Sequence, residues 1–396
     1  MRIYADNAAT TKMSKIAIDA MTRAMSEIYG NPSSLHTDGQ LAAEALFDAR
    51  QAIADVLACK PEQIYFTSGG SEADNQAIHS ALRYGARKNK KHIISTTFEH
   101  HAVLHTLQKL EAEGYEVTYL DVHEDGIIDL DELRSALRED TALVTIMHAN
   151  NEIGTIQPIA EIGKICSEKK VLFHTDAVQT VGHLKLFPDE LGVDYLSASA
   201  HKFGGPKGIG FLYSRKKAYI HPLIEGGAQE RGKRAGTENV PAIVGMAAAL
   251  KESFENIDRY YDHIVSMRDR LIKGLLEVPH SVLNGDARSR LTGNVNICFE
   301  GIEGESLLLM LDMKGIAASS GSACTSGSLE PSHVLLAIGR PHEIAHGSLR
   351  LSINHENTVE EIDKIIDVTK DVVEKLRSMS PVWDDLQKGR KEYVIQ

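Results

Sequence analysis

The sequence predicts an α/β protein, with a large domain built around a mostly parallel sheet and a smaller α+β domain in the C-terminal part. Three observations lead there. Between about residues 36 and 255, short apolar segments alternate with longer stretches whose apolar residues recur at helical spacing. Several of the short segments run directly into turns rich in glycine and serine. Near residue 240 the rhythm changes to one long helical pattern, followed by strand, helix, strand and helix. Apolar strands joined by helices belong to a parallel sheet covered on both faces.

In chain order, His36 to Leu57 reads as a helix closed by Ala58-Cys59-Lys60-Pro61, and Ile64 to Thr67 as a strand ending in a glycine turn. Further strands are expected at His92 to Thr96, Leu143 to His148, Val171 to His174, Tyr195 to Ala198 and Ile209 to Tyr213. The helices between them fall near Ala102 to Glu113, Asp131 to Leu137 and Ile159 to Glu168. A long helix from Pro241 to about Leu276, interrupted near Asn256 to Asp258, is the expected hinge. Beyond it come a strand at Gly293 to Phe299, a helix at Glu305 to Met313, a strand at Ser348 to Asn354 and an amphipathic helix from Val359 to about Arg377. This reading divides the chain into a large domain, 1–255, and a small domain, 256–396. The polar tail after Pro381 is expected to be loosely ordered.

Composition sets the outer bounds. The 396 residues suffice for a large core, and 42% hydrophobic with 25% charged residues is ordinary for a globular protein. Lysine and arginine number 43 against 55 aspartates and glutamates, a formal charge of −12, which argues against a nucleic-acid partner. The cysteines, Cys59, Cys166, Cys298 and Cys324, are scattered with no C-x-x-C pair, as in a reduced, cytoplasmic protein. The start, Met1-Arg2-Ile3-Tyr4-Ala5-Asp6, lacks the pattern of an export signal, and apolar runs such as Leu307 to Leu311 are too short to span a bilayer. No membrane role is expected.

Four local patterns carry chemistry. Cys324 is centred in Ser319-Ser320-Gly321-Ser322-Ala323-Cys324-Thr325-Ser326-Gly327-Ser328, a run with no apolar face, which predicts a thiol on a mobile, exposed loop. Thr67-Ser68-Gly69-Gly70-Ser71-Glu72-Ala73-Asp74 joins a strand to a helix, so backbone N–H groups and the helix dipole converge either on an anion or in an ordinary capped turn. It is neither a Walker loop nor G-x-G-x-x-G. Asp176 and Lys202 each follow an apolar strand, where an open α/β sheet presents its ligand crevice.

A phosphate cradle, a lysine able to form a Schiff base and a carboxylate to hold a pyridine nitrogen protonated are what pyridoxal 5'-phosphate (PLP) needs. His100, at the end of a strand on the same edge, is placed to stack on a flat cofactor and shuttle protons. The competing reading is a metal site from His174, Asp176, His201 and the pair His101/His105 at i, i+4 spacing. No H-E-x-x-H or comparable string supports it, so no resident metal is expected.

Taken in this order, the motifs resemble those of the NifS/IscS cysteine desulfurases, PLP enzymes of the class V aminotransferase group. The resemblance runs through Tyr4 to Thr11, Thr67 to Asn75, Glu99-His100, Asn150 to Gly154, Asp176 to Gln179, His201-Lys202, Gly204 to Gly210, Arg234 to Thr237, Ser319 to Ser328 and His346 to Arg350. It implies the type I PLP-transferase fold with a seven-stranded sheet, and an N-terminal segment of about 1–15 packed with the small domain. It implies Lys202 as the Schiff-base lysine, Asp176 as partner of the pyridine nitrogen, Gln179 as partner of the phenolic oxygen and His100 as the stacking ring.

Gly70, Ser71, Ser199 and His201 would hold the phosphate, completed by Thr237 of the neighbouring subunit in a homodimer with shared active sites. Asn151 and Arg350 would take the substrate carboxylate. Cys324, in a loop of about 319–332, would be the persulfide-forming nucleophile and a possible transient iron–sulfur ligand. The implied reaction converts L-cysteine to L-alanine and passes sulfur to a NifU/IscU-like iron–sulfur scaffold. The alternative is a selenocysteine lyase or another class V PLP reaction. Ser71 stands where the family often has threonine, and keeps the hydroxyl.

Overall fold

The computed structural model describes residues 2–320 and 331–395. The strands in chain order are β1 (Ile3–Tyr4), β2 (Ile64–Thr67), β3 (His92–Thr96), β4 (Glu116–Leu120), β5 (Thr141–Thr145) and β6 (Leu172–Asp176). They continue with β7 (Tyr195–Ser199), β8 (Gly210–Ser214), β9 (Ser281–Leu283), β10 (Asn294–Phe299), β11 (Ile316–Ala317) and β12 (Ser348–Ser352).

Seven of them form one sheet in the order β2-β8-β7-β6-β5-β3-β4. β8 runs antiparallel to both of its neighbours, and the other registers are parallel, so six strands deliver their C-terminal ends to a single edge. β2, β3 and β5 to β8 are buried along their whole length, which is why they read as apolar runs. β4 was not legible because it is an edge strand, paired only with β3 and half exposed, with Glu116 open to water.

A second, antiparallel sheet has the order β12-β10-β9. Its apolar face packs with Leu271, Leu275, Ile362 and Ile365 into a separate core. Ile3 joins that core, because β1 pairs in parallel with β11. The chain then crosses to the large sheet: Asn7 N donates to Ser352 O at 3.1 Å, and Thr11 N to His201 O at 2.9 Å.

Two expectations are corrected. The long helix runs unbroken from Val240 to Leu275, 36 residues. Asn256 lies within it and donates to the Glu252 carbonyl at 2.8 Å, and Asp258 faces outward to pair with Lys185, so these polar residues decorate the helix rather than interrupt it. Met246 and Leu250 of this helix lie in the large core, Met267 and Leu271 in the small one. The tail after Pro381 is ordered too. Ser380 caps a helix over Pro381–Gln387, and the Arg377 guanidinium sits 3.9 Å over the Trp383 ring. Val394 N and Ile395 N donate to the Glu300 carboxylate at 2.8 and 3.0 Å. Among the described residues, no helix is long and apolar enough to cross a membrane.

Candidate active site

At the edge where the parallel strands end lies a cavity of about 670 Å3. Its floor is the turn after β2. Gly69 takes φ +152°, a conformation that favours glycine, and caps the helix Gly70–Ala86. A Cβ on Gly70 would stand 2.6 Å from Val178 Cγ2, so the turn packs closely only without a side chain there, at the N-terminus of the helix. Glu72 fixes it from outside, accepting from Ser68 N at 2.8 Å and pairing with the Arg234 guanidinium at 2.9 Å. Ser71, Ser199 and His201 line the same end of the cavity. Burial and the nearby Lys202 and Lys207 lower the His201 pKa to about 4, so this ring is neutral at pH 7.

Lys202 leaves β7 through a single 3-10 turn, Ala200–Lys202. Its Nζ donates to the carbonyls of Ala8 and Ala9, the second at 2.9 Å. The N-terminal segment therefore aims the amine. Gln179 Nε2 donates to the same Ala8 carbonyl at 3.0 Å. Asp176, the last residue of β6, accepts from Val178 N at 2.9 Å. Burial raises its pKa, while His100 and Lys202 oppose the rise. His100 caps the helix His101–Ala112 by accepting from Ala102 N at 3.1 Å, which places its ring on the cavity wall.

Across the cavity, β12 supplies Arg350, 1% exposed. Its Nη2 donates to Asp6 Oδ1 at 3.0 Å and its Nη1 to the Asn151 carbonyl at 3.1 Å. Its Nε is buried with no hydrogen-bond partner among the described residues.

Gly70, Ser71, His100, Asn151, Asp176, Gln179, Ser199, His201, Lys202 and Arg350 thus meet in one cavity. Thr237 does not line it and is exposed. Cys324 lies outside the described residues. The three described thiols are poor nucleophiles, because burial pushes Cys298 up to about 11 and Cys59 to about 12, and raises Cys166 as well.

The sequence reading missed several contributors. Asp74, one helical turn beyond Gly70, lines the cavity, and its Oδ1 is buried without a hydrogen bond. It lies 3.5 Å from His174 Nε2, a ring that burial keeps neutral with a pKa of about 3. Burial and the facing Asp176 and Glu99 hold Asp74 well above the usual carboxylate range. Glu99 accepts from Met147 N at 3.0 Å and from Thr96 Oγ1 at 2.7 Å, yet burial raises it to about 8. Asp6 and Glu99 stood in quoted motifs without an assigned role. Their signal was an acid beside a site residue, which sequence alone does not distinguish from a solvated charge.

PLP fits these residues. The bare Gly69-Gly70 turn at a helix N-terminus suits its phosphate, the buried carboxylate of Asp176 suits a protonated ring nitrogen, and the Lys202 amine lies in the same cavity.

The model of the family "Aminotransferase class-V" matches residues 3–365. The chain is 53% identical over 380 residues to the cysteine desulfurase IscS of Methanosarcina thermophila, covering 96% of this chain and 94% of that one. It is 48% identical over 394 residues to the cysteine desulfurase IscS of Clostridium botulinum, covering 99% of each. A solved structure titled NifS-like protein superposes with a TM-score of 0.89 at 39% identity, covering 95% of this chain and all of the other. The chain therefore belongs to the class V aminotransferase family, among its NifS/IscS-type cysteine desulfurases.

Proposed function

We propose that this protein converts L-cysteine to L-alanine and takes the sulfur as a persulfide on Cys324, for delivery to an acceptor protein. One observation carries the reading: the bare glycine turn, Asp176, Lys202 and Arg350 meet in one cavity of a chain 48–53% identical to cysteine desulfurases. PLP is the cofactor, and when bound it draws electrons from the substrate, loosening its Cα proton and its Cβ–S bond.

The side chains divide the remaining work. Gly70, Ser71, Ser199 and His201 would hold the phosphate, Asp176 would keep the ring nitrogen protonated, and Gln179 would bond the phenolic oxygen. His100, on the cavity wall, would hold the ring through its imidazole. Lys202 would hold the cofactor through its Nζ, and the same amine would take up the substrate Cα proton. Arg350 takes the substrate carboxylate through its guanidinium, including the unsatisfied Nε, with Asn151 beside it. Cys324 Sγ, as thiolate, attacks the substrate sulfur. The S–S bond forms as the Cβ–S bond breaks, the bonding pair stays with carbon, and protonation there yields alanine.

We assign residues 1–255 to the large domain and 256–396 to the small one, with about 1–15 packed against the small domain as β1 on β11 supports. The functional unit in this proposal is a homodimer. Met25, Tyr29, Leu35 and Phe47 expose apolar surface around the first two helices, Leu35 to 92% and Tyr29 to 75%. Leu223 and Ile224 add to it near the segment of Thr237, which is free to reach a neighbouring subunit's phosphate site. The sulfur acceptor is an iron–sulfur scaffold of NifU/IscU kind, and the place of action is the cytoplasm. The net charge of −12 supports the absence of a nucleic-acid partner.

The test is a single-turnover reaction with L-cysteine. One alanine per site and one added sulfur on the peptide carrying Cys324 is the expected result. Alanine with no sulfur on that peptide overturns the assignment of the thiol, and no alanine overturns the function.

A further inference from the structure

The pair His101/His105, one turn apart on the helix His101–Ala112, has no part in the chemistry above. The structure gives it a third member from the far end of the chain. His333 places its ring centroid 4.7 Å from that of His101, and His105 places its own 4.8 Å from His101 on the other side. His101 and His333 line the active-site cavity, while His105 is exposed outside it. Three imidazoles thus cluster between solvent and the cavity wall, and the His100 ring lies 6.4 Å from that of His101.

His333 Nε2 donates to the Glu99 carbonyl at 3.0 Å, which fixes the proton on Nε2 and leaves the Nδ1 lone pair unprotonated. Burial and the facing His333, His105 and His100 lower the His101 pKa to about 4. The ring nitrogens do not yet gather within 4.8 Å of a common set, so a ligand ion has to turn a ring toward its neighbours. His105, on the outer surface, is placed to turn. Three imidazoles, two of them at i, i+4 spacing on one helix, are a donor set for a borderline divalent cation.

We propose that His101, His105 and His333 bind one divalent cation of the zinc class at the rim of the active-site cavity, and that the bound ion blocks entry of substrate. The positive charge would stand beside His100 and across the entrance to Lys202 and Asp176. The proposal does not depend on which reaction the cavity performs.

Cobalt(II) is the probe, titrated into holoenzyme carrying Cys324→Ala so that the loop thiol cannot compete, and followed by the visible d–d absorption of a low-coordinate site. One ion per chain is expected, bound roughly tenfold or more weakly once His105→Gln is added, since even supporting residues of metal sites are worth ~10–100-fold. Equal affinity with and without His105→Gln overturns the site. Inhibition is then read on enzyme with Cys324 intact, at free cobalt fixed by a chelator buffer. His105→Gln should move half-inhibition upward by the same factor while leaving uninhibited turnover unchanged. Half-inhibition at the same free cobalt in both proteins overturns the blocking role.

Discussion

Asp74 and Asp176 hold carboxylate oxygens within 4.8 Å of one another, with both side chains buried and His100 within the same distance. Two charges so close cannot both be ionised cheaply. Asp176 has Val178 N–H, His100 and Lys202 to favour its charge, whereas Asp74 faces Asp176 and Glu99, so Asp74 is the one that keeps the proton. A folded-state carboxyl pKa above its unfolded value means that the native state binds more protons. Stability therefore falls as pH rises from about 4 through the folded values, Glu99 near 8 among them. Asp74→Asn should remove part of this slope, melting higher than the parent at pH 8 and with little difference at pH 4. Parallel melting-temperature profiles across that range would count against the assignment.

Lys202 is held by two carbonyls of the N-terminal segment, which aim its amine into the cavity. Lys202→Ala should abolish the visible absorption of covalently held cofactor and lower alanine formation at least ~10³-fold, within the range for loss of a positioned acid–base group. A variant that keeps both the absorption and turnover would remove this residue from the mechanism.

Cys324→Ala separates cofactor from sulfur chemistry. Its absorption spectrum should match the parent's, while sulfide released from L-cysteine in the presence of reductant falls to background. The described thiols offer no substitute, because burial keeps them protonated at neutral pH. Sulfide release at the parental rate would show that the attack comes from elsewhere.

Arg350→Lys keeps the charge but loses the fork that reaches Asp6, the Asn151 carbonyl and the cavity. One charge-assisted hydrogen bond is worth roughly 1.5–3 kcal/mol, so KM for L-cysteine should rise roughly 10–100-fold with the cofactor spectrum unchanged. Steady-state kinetics at saturating cofactor decides. An unchanged KM would place the substrate carboxylate elsewhere.

Much of the large sheet was legible because its strands are buried on both faces and read as apolar runs, Ile64–Thr67 and His92–Thr96 among them. Asp176, Lys202, His100 and the turn after β2 were legible because the sheet topology requires strand ends to share one edge, whereas Gln179, Asn151, Ser199, His201 and Arg350 came only from the family resemblance. Their mutual support was not legible. Asp6 and Arg350 are 344 positions apart, and nothing local to either predicts their pairing. His333 meets His101 for the same reason, through a fold that closes late in the sequence. The uninterrupted helix Val240–Leu275 was misread because Asn256 and Asp258 are poor helix formers, and their solvent-facing positions make that weakness harmless.

The ion pair between Asp6 and Arg350 also orders events during synthesis. The ribosome releases Asp6 344 positions before Arg350, so the large sheet can form while the segment of Asp6 still waits for β11 and β12. Until then Ala8 and Ala9, which aim Lys202, are anchored only on the side of Thr11, which bonds the His201 carbonyl, and not on the side of Asn7. A nascent chain can thus carry a nearly complete fold without a working amine, and its catalytic power arrives in one late step, when the two ends of the polypeptide meet.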